Sequence, residues 1–399
     1  MLLEILLAFF LGILVGTLTG LTPGLHINLI APLILVLSSP VSISPIFLII
    51  FIVSLSIAHT FLDFIPSTFL GCPNEDTSLS ILPSHRMLLE GKGHNALVYS
   101  LFGGLLGIFI SLLLTLPLIY LMPLIYPYLK SVMFLILIST VCFLLIKEEH
   151  FFISLLIFLL SGFLGLATLN LNLKDSLLPL LSGLFGSSSL LVSLKEKNNL
   201  PPQEISEISK IKPKLGELKN PLIASLLSAP LCSFLPALGT NQAAIISSDI
   251  VEERSQKNYL ILIGSLNTLM LILSFITLFA INKSRTGSAA YIGNLVSLTP
   301  PLLLVILLNS LISGVIAFTI SIKISKIFAK TIPKINYQLV SKLILIFLFI
   351  LICIFSGFLG LLVFIVATII GLSCIQMNIR RTNLMGSLML PSIIFYLPF

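Results

Sequence analysis

Long apolar segments separated by short polar turns dominate the sequence. The segments 97–116, 151–169 and 259–280 each run for about 20 residues without a charge, the length an α-helix needs to cross a hydrocarbon core of about 30 Å. Because apolar residues do not alternate with a period of two, the pattern does not fit a β-barrel. It predicts an all-α, polytopic integral membrane protein with about 10–12 membrane segments.

Composition supports a membrane protein. Of the 399 residues, 57% are hydrophobic and 9% are charged, whereas soluble domains keep about 25% charged residues. The first apolar segment, 2–21, carries Glu4 and no basic residue. It therefore lacks the basic start of a signal peptide and is expected to be a retained helix.

The basic residues and the cysteines exclude two classes of partner. The net charge of +7 comes largely from lysines gathered at 195–219 and 323–342, between spans. This is the bias of cytoplasmic loops, so no nucleic acid partner is expected. The five cysteines are far apart and show no metal-ligand spacing, so neither a disulfide nor a metal is implied. No cofactor is expected.

A polar connector divides the chain into two halves that look related. We predict a first transmembrane repeat at 1–194, a cytoplasmic connector at 195–220 and a second transmembrane repeat at 221–399. The hexapeptide at 161–166 recurs letter for letter at 356–361. Ahead of it, each half has helix breakers and amide side chains inside apolar sequence, at 22–28 and at 236–242.

The charges also predict the topology. If 221–248 is a broken hairpin that enters and leaves on one side, both lysine-rich loops face the cytoplasm. Counting the membrane spans back from the connector places residues 85–92 on the cytoplasmic side. A hairpin around Pro23–Gly24 then opens from the external side of the membrane. The two halves would be inverted repeats with broken or re-entrant helices, a common transporter design.

The two breaks are candidates for a substrate site. Backbone groups freed by a break cannot stay unpaired in lipid, so a broken helix lines a cavity or is buried in protein. A half-helix that starts there directs N–H groups and its positive dipole end toward the break, which suits an anion. The alternative is that proline and glycine merely kink a packed span. The candidate residues are Thr22, Pro23, Gly24, His26, Asn28, Gly239, Thr240, Asn241 and Gln242.

The segment 71–80 is the most polar stretch of the first half. Its mixture of glycine, proline and small hydroxyl residues suits a re-entrant loop that approaches a ligand by its backbone, and an ordinary solvated loop is the alternative. In the matching region of the second half, 282–293, Lys283 and Arg285 replace the acids. The candidate substrate contacts are Gly71, Pro73, Asn74, Thr77 and Ser78.

Three acids are candidates for coupling transport to an ion. Asp63 ends a span shortly after His59, and Glu75 and Asp76 lie in the polar loop. An ionisable residue at such a depth suggests coupling to protons or Na⁺, although an interfacial carboxylate that reaches water is the alternative for Asp63. Four other charged residues lie in short turns and are expected to be solvated: Glu148, Glu149, Lys174 and Asp175.

Motifs of membrane and soluble enzymes are absent from the sequence. There is no HExxH, GxGD, GxSxG or phosphate-loop motif. The glycine and serines at 186–189 are of a kind common in helix packing. The sequence therefore predicts a protein that is not an enzyme.

The chain resembles the large membrane subunit family of the tripartite tricarboxylate transporters, and within it an uncharacterised archaeal branch. Residues 16–25 are similar to the family's first glycine-proline motif, and residues 71–92 with Ala96 and Leu97 to its second. The resemblance implies a secondary transporter for organic anions that works with a small membrane subunit and an external substrate-binding protein. It implies substrate contacts by the residues matching the motifs, here Thr22, Pro23, Gly24, Gly71, Pro73, Thr77 and Ser78.

The sequence departs from the bacterial pattern of the family at its motifs. His26 and the three residues Asn74, Glu75 and Asp76 stand where that pattern has small residues, which disfavours a citrate-like trianion. The leading hypothesis is a multi-pass protein of the cell membrane that carries a small carboxylate-type anion, coupled to a cation. The alternative is a translocase for a polyprenyl phosphate. A homodimer is left open.

Overall fold

The computed structural model describes residues 2–22, 44–70, 81–171, 173, 176–195, 201–234, 240–251, 255–334 and 337–397. These residues form helices, turns and irregular connections and contain no strand. The all-α class predicted from the hydrophobic pattern is therefore confirmed.

The helices are named in chain order. The first half contains α1 (Leu2–Leu21), α2 (Pro45–Leu62), α3 (Phe64–Leu70), α4 (Ile81–Leu89), α5 (Gly93–Ile146), α6 (Phe151–Asn170), α7 (Leu177–Leu181) and α8 (Ser188–Lys195), with a π-helical turn, Ser182–Ser187, between α7 and α8. The connector holds α9 (Ile208–Ile211) and a 3₁₀ turn, Leu215–Leu218. The second half contains α10 (Lys219–Phe234), α11 (Thr240–Ile250), α12 (Gln256–Ile281), α13 (Gly287–Leu295), α14 (Pro300–Thr331), α15 (Tyr337–Gln376) and α16 (Gly386–Tyr396), with 3₁₀ turns at Ile332–Lys334 and Arg381–Met385.

Seven helical segments in the described part of the chain are long and apolar enough to cross a membrane. The longest, α5, has 54 residues and contains Pro117, Pro123 and Pro127. At 1.5 Å per residue it is about 80 Å long, well beyond a hydrocarbon core of about 30 Å. It can therefore supply more than one membrane segment, and the polytopic architecture is confirmed.

Helices α1 and α2 pack closely and run parallel. A Cβ atom added to Gly12, Gly16 or Gly20 would lie 2.5, 2.4 or 2.8 Å from a carbonyl oxygen of α2. The contacted oxygens advance from Phe51 to His59 as the glycines advance along α1. Glycines at this spacing let two helix backbones approach. Because the pair is parallel, the end of α1 and the start of α2 lie at opposite ends of it.

Helices α10 and α12 form a second parallel pair. The ammonium of Lys257, at the start of α12, contacts Glu217 just before α10 at 2.5 Å. Eight residues further along both segments, Ser225 donates a hydrogen bond to Ser265 at 2.9 Å. In α10 and α11, Ser228 donates to the carbonyl of Ala243 at 3.2 Å, so these two helices lie side by side.

Helix α14 packs against both α5 and α2, and its contacts show the relative directions of these helices. It is antiparallel to the first part of α5, because His94 bonds Ser325 at 2.8 Å while Phe102 packs on Phe318 with ring centroids 5.3 Å apart. It is parallel to α2. There, Ser54 donates to Asn309 at 3.0 Å, and beyond α2 the Phe69 and Phe328 rings of α3 and α14 are 5.9 Å apart.

The first part of α5 is in turn parallel to α12. Lys257 lies 5.1 Å from the centroid of the Tyr99 ring. Further along both helices, a Cβ on Gly104 would lie 3.2 Å from the Thr268 hydroxyl oxygen. Since α2 is parallel to α14, and α14 is antiparallel to α5, it follows that α2 and α12 run in opposite directions.

Corresponding helices of the two halves therefore have opposite directions, as inverted repeats require. The hydrogen-bonded pairs Thr19–His59 and Ser225–Ser265 both join residues 40 apart in sequence, one pair in each half. Helices α4 and α13 are both nine residues long and both precede a long helix. These relations support the predicted repeat, which stays a prediction because the tips of both hairpins lie outside the described residues.

The repeated hexapeptide has different structures in its two copies. At 161–166 it lies inside the uninterrupted helix α6. At 356–361 it contains Gly357, whose φ of 65° is left-handed. A Cβ on Gly360 would lie 3.7 Å from a methyl of Ile352, whereas residues eight apart in a straight helix are separated by about 12 Å. Helix α15 thus folds back on itself at Gly357, and the hexapeptide does not mark equivalent positions.

The lysine-rich segments meet at one end of the bundle. Gln203 of the connector accepts a hydrogen bond from the Gly93 nitrogen at 2.9 Å, at the start of α5. The same turn of α5 places His94 against Ser325, beside Lys323 and Lys326 of α14. The described residues of the segments 195–219 and 323–342 therefore lie at the same end, as the topology predicts. That this end is cytoplasmic stays a prediction from the positive-inside rule.

The buried apolar side chains form two groups of contacts, and each group contains helices from both halves of the chain. The larger core joins α1 to α5 with α10 to α14. Smaller clusters join the end of α5, α6, α7 and α8 with α15 and α16. The segments 1–194 and 221–399 are therefore interleaved in the structure.

Candidate functional site

Most residues predicted to bind substrate lie outside the described part of the chain. Thr22 and Thr240 are described, and Asn241 and Gln242 lie in the first turn of α11. The candidates outside the described residues are Pro23, Gly24, His26, Asn28, Gly71, Pro73, Asn74, Glu75, Asp76, Thr77, Ser78 and Gly239. The structure therefore locates the flanks of the predicted breaks.

The first break begins where α1 ends against the end of α2. The hydroxyl of Thr22 donates to the Leu18 carbonyl at 2.7 Å, which closes the last turn of α1. A Cβ on Gly20 would lie 2.8 Å from Cβ of Leu62. Thr22 therefore lies at about the depth of the last residues of α2.

The second break ends at a buried threonine. Thr240 is the first residue of α11 and is fully buried. Its hydroxyl donates to the sulfur of Met270 at 3.6 Å, near the middle of α12. The polar start of α11 thus lies inside the helix bundle.

The described flanks of the two predicted breaks lie at about the same level of the helix bundle. A Cβ on Gly104 would lie 2.8 Å from the Phe61 ring and 3.2 Å from the Thr268 hydroxyl. This contact places the end of α2 level with the middle of α12. Thr22 and Thr240, which flank the two predicted breaks, therefore lie at about one level of the helix bundle.

A buried imidazole and a buried carboxylate lie at this level. His59 and Asp63 are 3% and 4% exposed, one helical turn apart at the end of α2. The Nδ1 atom of His59 lies 3.1 Å from the Thr19 hydroxyl of α1, and the Asp63 nitrogen donates to the His59 carbonyl at 2.9 Å. The interfacial, water-exposed alternative for Asp63 does not fit this burial. Asp63 remains a coupling candidate, as do Glu75 and Asp76.

An amide on α14 ties the middle of α2 in place. Asn309 donates to the Ile50 carbonyl at 3.0 Å and accepts from Ser54 at 3.0 Å and from Ser313 at 3.3 Å. All these groups are buried, and each polar atom of the amide has a partner. The sequence analysis did not single out Asn309, because one asparagine in an apolar span has no spacing signature.

A second polar cluster lies where α6, α8 and α15 approach the 3₁₀ turn Arg381–Met385. The side chain of Glu148 is 6% exposed and accepts a hydrogen bond from Asn383 at 3.0 Å. The prediction that Glu148 is a solvated turn residue is wrong, because this turn is covered by Arg380 and Asn383. Glu149 is exposed as expected, while Lys174 and Asp175 lie outside the described residues.

Arg381 is the other buried charge of this cluster. It is 8% exposed, and its guanidinium donates to the Ser189 hydroxyl at 2.5 Å. Burial lowers the pKa of Arg381 to about 10, so it remains a cation at neutral pH. In the sequence, this residue is one of a pair of arginines between two apolar segments. Such a pair is usually interpreted as a marker of membrane topology, so it does not by itself indicate a buried charge.

Metal-ligand geometry is absent from the part of the chain that the structure describes. No three His, Cys, Asp or Glu side chains there are grouped as ligands of a metal ion would be. The chemistry available at the breaks is that of backbone N–H groups, hydroxyls, an imidazole and a carboxylate. Such groups can bind and orient a polar solute.

A multi-pass helical architecture, with the described helix ends at Thr22 and Thr240 at one level inside the bundle, is typical of membrane transporters. The sequence profile of the tripartite tricarboxylate transporter TctA family matches residues 6–386. The chain therefore belongs to that family, whose members are secondary transporters for organic anions and not enzymes. This membership confirms the resemblance drawn from the two motifs.

The comparison with curated proteins finds a relative in an archaeon. The chain is 31% identical over 362 residues to an uncharacterised protein, MJ1079, of Methanocaldococcus jannaschii. The match covers 87% of this chain and 88% of that protein. No solved structure matches the chain.

Proposed function

We propose that the protein couples the movement of a cation to the transport of a small carboxylate-type anion across the cell membrane. The observation that supports this most is the shared level of Thr22 and Thr240, the described flanks of the two predicted breaks. Discontinuous helices at the middle of the bilayer are how many secondary transporters present helix ends to an anionic group. The flanks belong to two closely packed helix pairs, so the donors would be held in place before the anion binds.

The proposed site combines both breaks with the polar loop of the first half. Helix starts supply N–H groups, and hydroxyl and amide side chains add donors that suit a carboxylate. The glycines and prolines allow the backbone itself to approach the ligand. The residues proposed to bind substrate are Thr22, Pro23, Gly24, His26, Asn28, Gly71, Pro73, Asn74, Thr77, Ser78, Gly239, Thr240, Asn241 and Gln242.

The proposed coupling site is centred on Asp63. A carboxylate buried at membrane depth is costly to keep charged, so its occupation by a cation can be linked to the state of the transporter. His59 is one turn away and equally buried, which brings a second titratable group to the same level. Glu75 and Asp76 are further candidates for this role.

The family suggests partners that would act with this chain. We propose a small membrane subunit and an external substrate-binding protein, both of which the family commonly uses. Reconstitution of the chain alone in liposomes tests this proposal. Uptake without added proteins would show that this chain needs neither partner.

The experiment that tests the transport function is thermal stabilisation of the purified protein by a panel of carboxylates. A ligand at 100 times its dissociation constant adds about 2.7 kcal/mol of stability, which shifts the melting temperature measurably. We expect at least one small carboxylate to stabilise the protein and to be taken up by proteoliposomes under a cation gradient. Stabilisation by polyprenyl phosphate alone, with no response to carboxylates, would contradict the proposal.

A further inference from the structure

The two halves of the chain are in direct backbone contact at two places. A Cβ atom added to Gly103 of α5, in the first half, would overlap the carbonyl oxygen of Ile261 of α12, in the second half. A Cβ on Gly165 of α6 would likewise overlap the carbonyl oxygen of Ser387 of α16. Backbones packed this closely leave no slack for sliding, because protein interiors are close-packed. The two sequence halves therefore do not form separate units that could move against each other.

The packing instead divides the helices into two bodies, each built from both halves. The larger body consists of α1 to α4, the first part of α5 and α10 to α14, around the larger core. The smaller body consists of the last part of α5, α6 to α8, α15 and α16. Hydrogen bonds join the halves inside each body. In the larger body, Asn309 donates to the Ile50 carbonyl at 3.0 Å, and in the smaller body Ser161 donates to the Asn383 carbonyl at 3.2 Å.

Partly buried apolar side chains contribute to the boundary between the two bodies. Leu70, at the end of α3, packs against a cluster that contains Leu190 of α8 and Leu348 of α15. Ile246 of α11 packs against the cluster that contains Met133 of α5. Apolar contacts of this kind are non-directional. The boundary can therefore shift more readily than the backbone contacts within each body.

Helix α5 connects the two bodies through a stretch that contains three prolines. Met122 lies in the larger core, and Met133 lies in a cluster of the smaller body. Pro123 and Pro127 fall between these two methionines, and Pro117 precedes them. A proline inside a helix removes a backbone hydrogen bond and bends the helix. This stretch is therefore the part of α5 best able to flex.

The larger body carries the described residues of the proposed substrate and coupling sites. Thr22 directly follows α1, Asp63 lies between α2 and α3, and Thr240 begins α11. A movement of the larger body would therefore carry these residues together. Secondary transporters commonly expose one site to the two sides of the membrane in turn by rigid-body movement.

We propose that the protein transports its substrate by moving the larger body, which carries the proposed site, against the smaller body, with the proline-containing part of α5 as the hinge. The proposal rests on the proposed transport function. It differs from a movement of one repeat against the other, because each body contains helices of both halves.

Cross-linking of the full-length protein in liposomes tests the movement. The five native cysteines are replaced by alanine, and a short, reducible bifunctional thiol reagent is used. Leu70→Cys with Leu348→Cys joins the two bodies. Phe102→Cys with Phe318→Cys is the matched control, because these rings are 5.3 Å apart and join the two halves inside the larger body. We expect the first cross-link to abolish uptake of succinate, malate or citrate until it is reduced, and the second to leave uptake unchanged.

The outcomes separate this movement from the transport function. Undiminished uptake in the cross-linked Leu70–Leu348 pair would overturn the movement of the bodies while leaving transport intact. Loss of uptake in the cross-linked Phe102–Phe318 pair would show that the larger body does not move as one unit, which also overturns the proposal. A wild-type protein that neither binds nor takes up any of the three acids contradicts the proposed transport function.

Spin labels test the movement without a substrate and at exposed positions that tolerate substitution. Labels at Leu308 and Ile350 report on the two bodies, and labels at Leu308 and Leu11 report on the larger body alone. Distances are measured by double electron–electron resonance in buffers that differ in Na⁺ and pH. We expect two distances, or one that shifts, for the first pair and a single constant distance for the second. A single constant distance for both pairs, or a changing distance within the larger body, would overturn the proposal.

The hinge is tested by restoring the backbone hydrogen bonds of α5. Pro117→Ala, Pro123→Ala and Pro127→Ala, combined in one variant, should lower the initial rate of uptake several-fold while the carboxylate still raises the melting temperature. Pro300→Ala is the control, because a proline in the first turn of α14 interrupts no helical hydrogen bond. An unchanged uptake rate in the triple variant would exclude this stretch as the hinge.

Discussion

Replacing Asn309 with alanine is expected to lower the free energy of unfolding by about 1–3 kcal/mol. The amide donates to the Ile50 carbonyl at 3.0 Å and accepts from Ser54 at 3.0 Å, and both bonds cross from α14 to α2. The bond from Ser313 stays within α14. Interhelical hydrogen bonds in membranes contribute about 0.6 kcal/mol on average and up to about 1.7 kcal/mol, so two of them give the stated range.

The matched control lies on the same helix. Thr319 is exposed, and its hydroxyl donates to the Ile316 carbonyl in its own helix at 2.7 Å, so Thr319→Val removes a hydrogen bond without separating two helices. Unfolding by sodium dodecyl sulfate in mixed micelles can be followed by circular dichroism, since the chain has no tryptophan. If Asn309→Ala unfolds at the same detergent fraction as Thr319→Val, the amide does not hold α2 against α14.

Three further predictions address the site, the coupling and the connector. Asn28→Ala or Asn241→Ala should weaken anion binding about 10- to 100-fold with little change in melting temperature, whereas lost stability at unchanged affinity would favour packed kinks over a substrate site. Asp63→Asn should retain substrate binding and lose the dependence of uptake on the cation gradient, and unchanged gradient dependence would exclude Asp63 as the coupling group. A hydrogen bond from Lys257 holds the pKa of Glu217 below its usual range, so Glu217→Gln should slightly destabilise the protein at neutral pH. That difference should vanish as the pH falls through the folded-state pKa of Glu217, which melting curves over pH can check.

The sequence predicts those features that depend on hydrophobicity and helix breakers. The charge-free segments 97–116, 151–169 and 259–280 all lie within helices, because the cost of placing charges in lipid is visible residue by residue. The described residues of the lysine-rich segments 195–219 and 323–342 lie at one end of the bundle for the same reason. Each of these features follows from the residue itself, without knowledge of its neighbours.

Features that depend on partners distant in sequence could not be predicted in this way. Glu148 stands in a short polar turn, and its burial depends on Asn383, more than two hundred residues later. The reversal at Gly357 has neither a proline nor a polar loop to announce it, since one left-handed glycine suffices. The hexapeptide match illustrates the converse, because identical letters adopt a straight helix in one copy and a reversal in the other. Tertiary contacts decide such cases.

The distribution of charge also bears on the substrate. At the depth of the breaks, the ionisable residues that the structure describes on α2 are His59 and Asp63, and their formal charges do not add up to a cationic site. Neutral donors can stabilise one carboxylate by hydrogen bonds, but they cannot offset the cost of removing a trianion from water. The acids Glu75 and Asp76, if they take part in the site as proposed, would add to that cost. On the proposed site, a monoanion or dianion with one carboxylate at the breaks therefore fits these charges better than a citrate-like trianion.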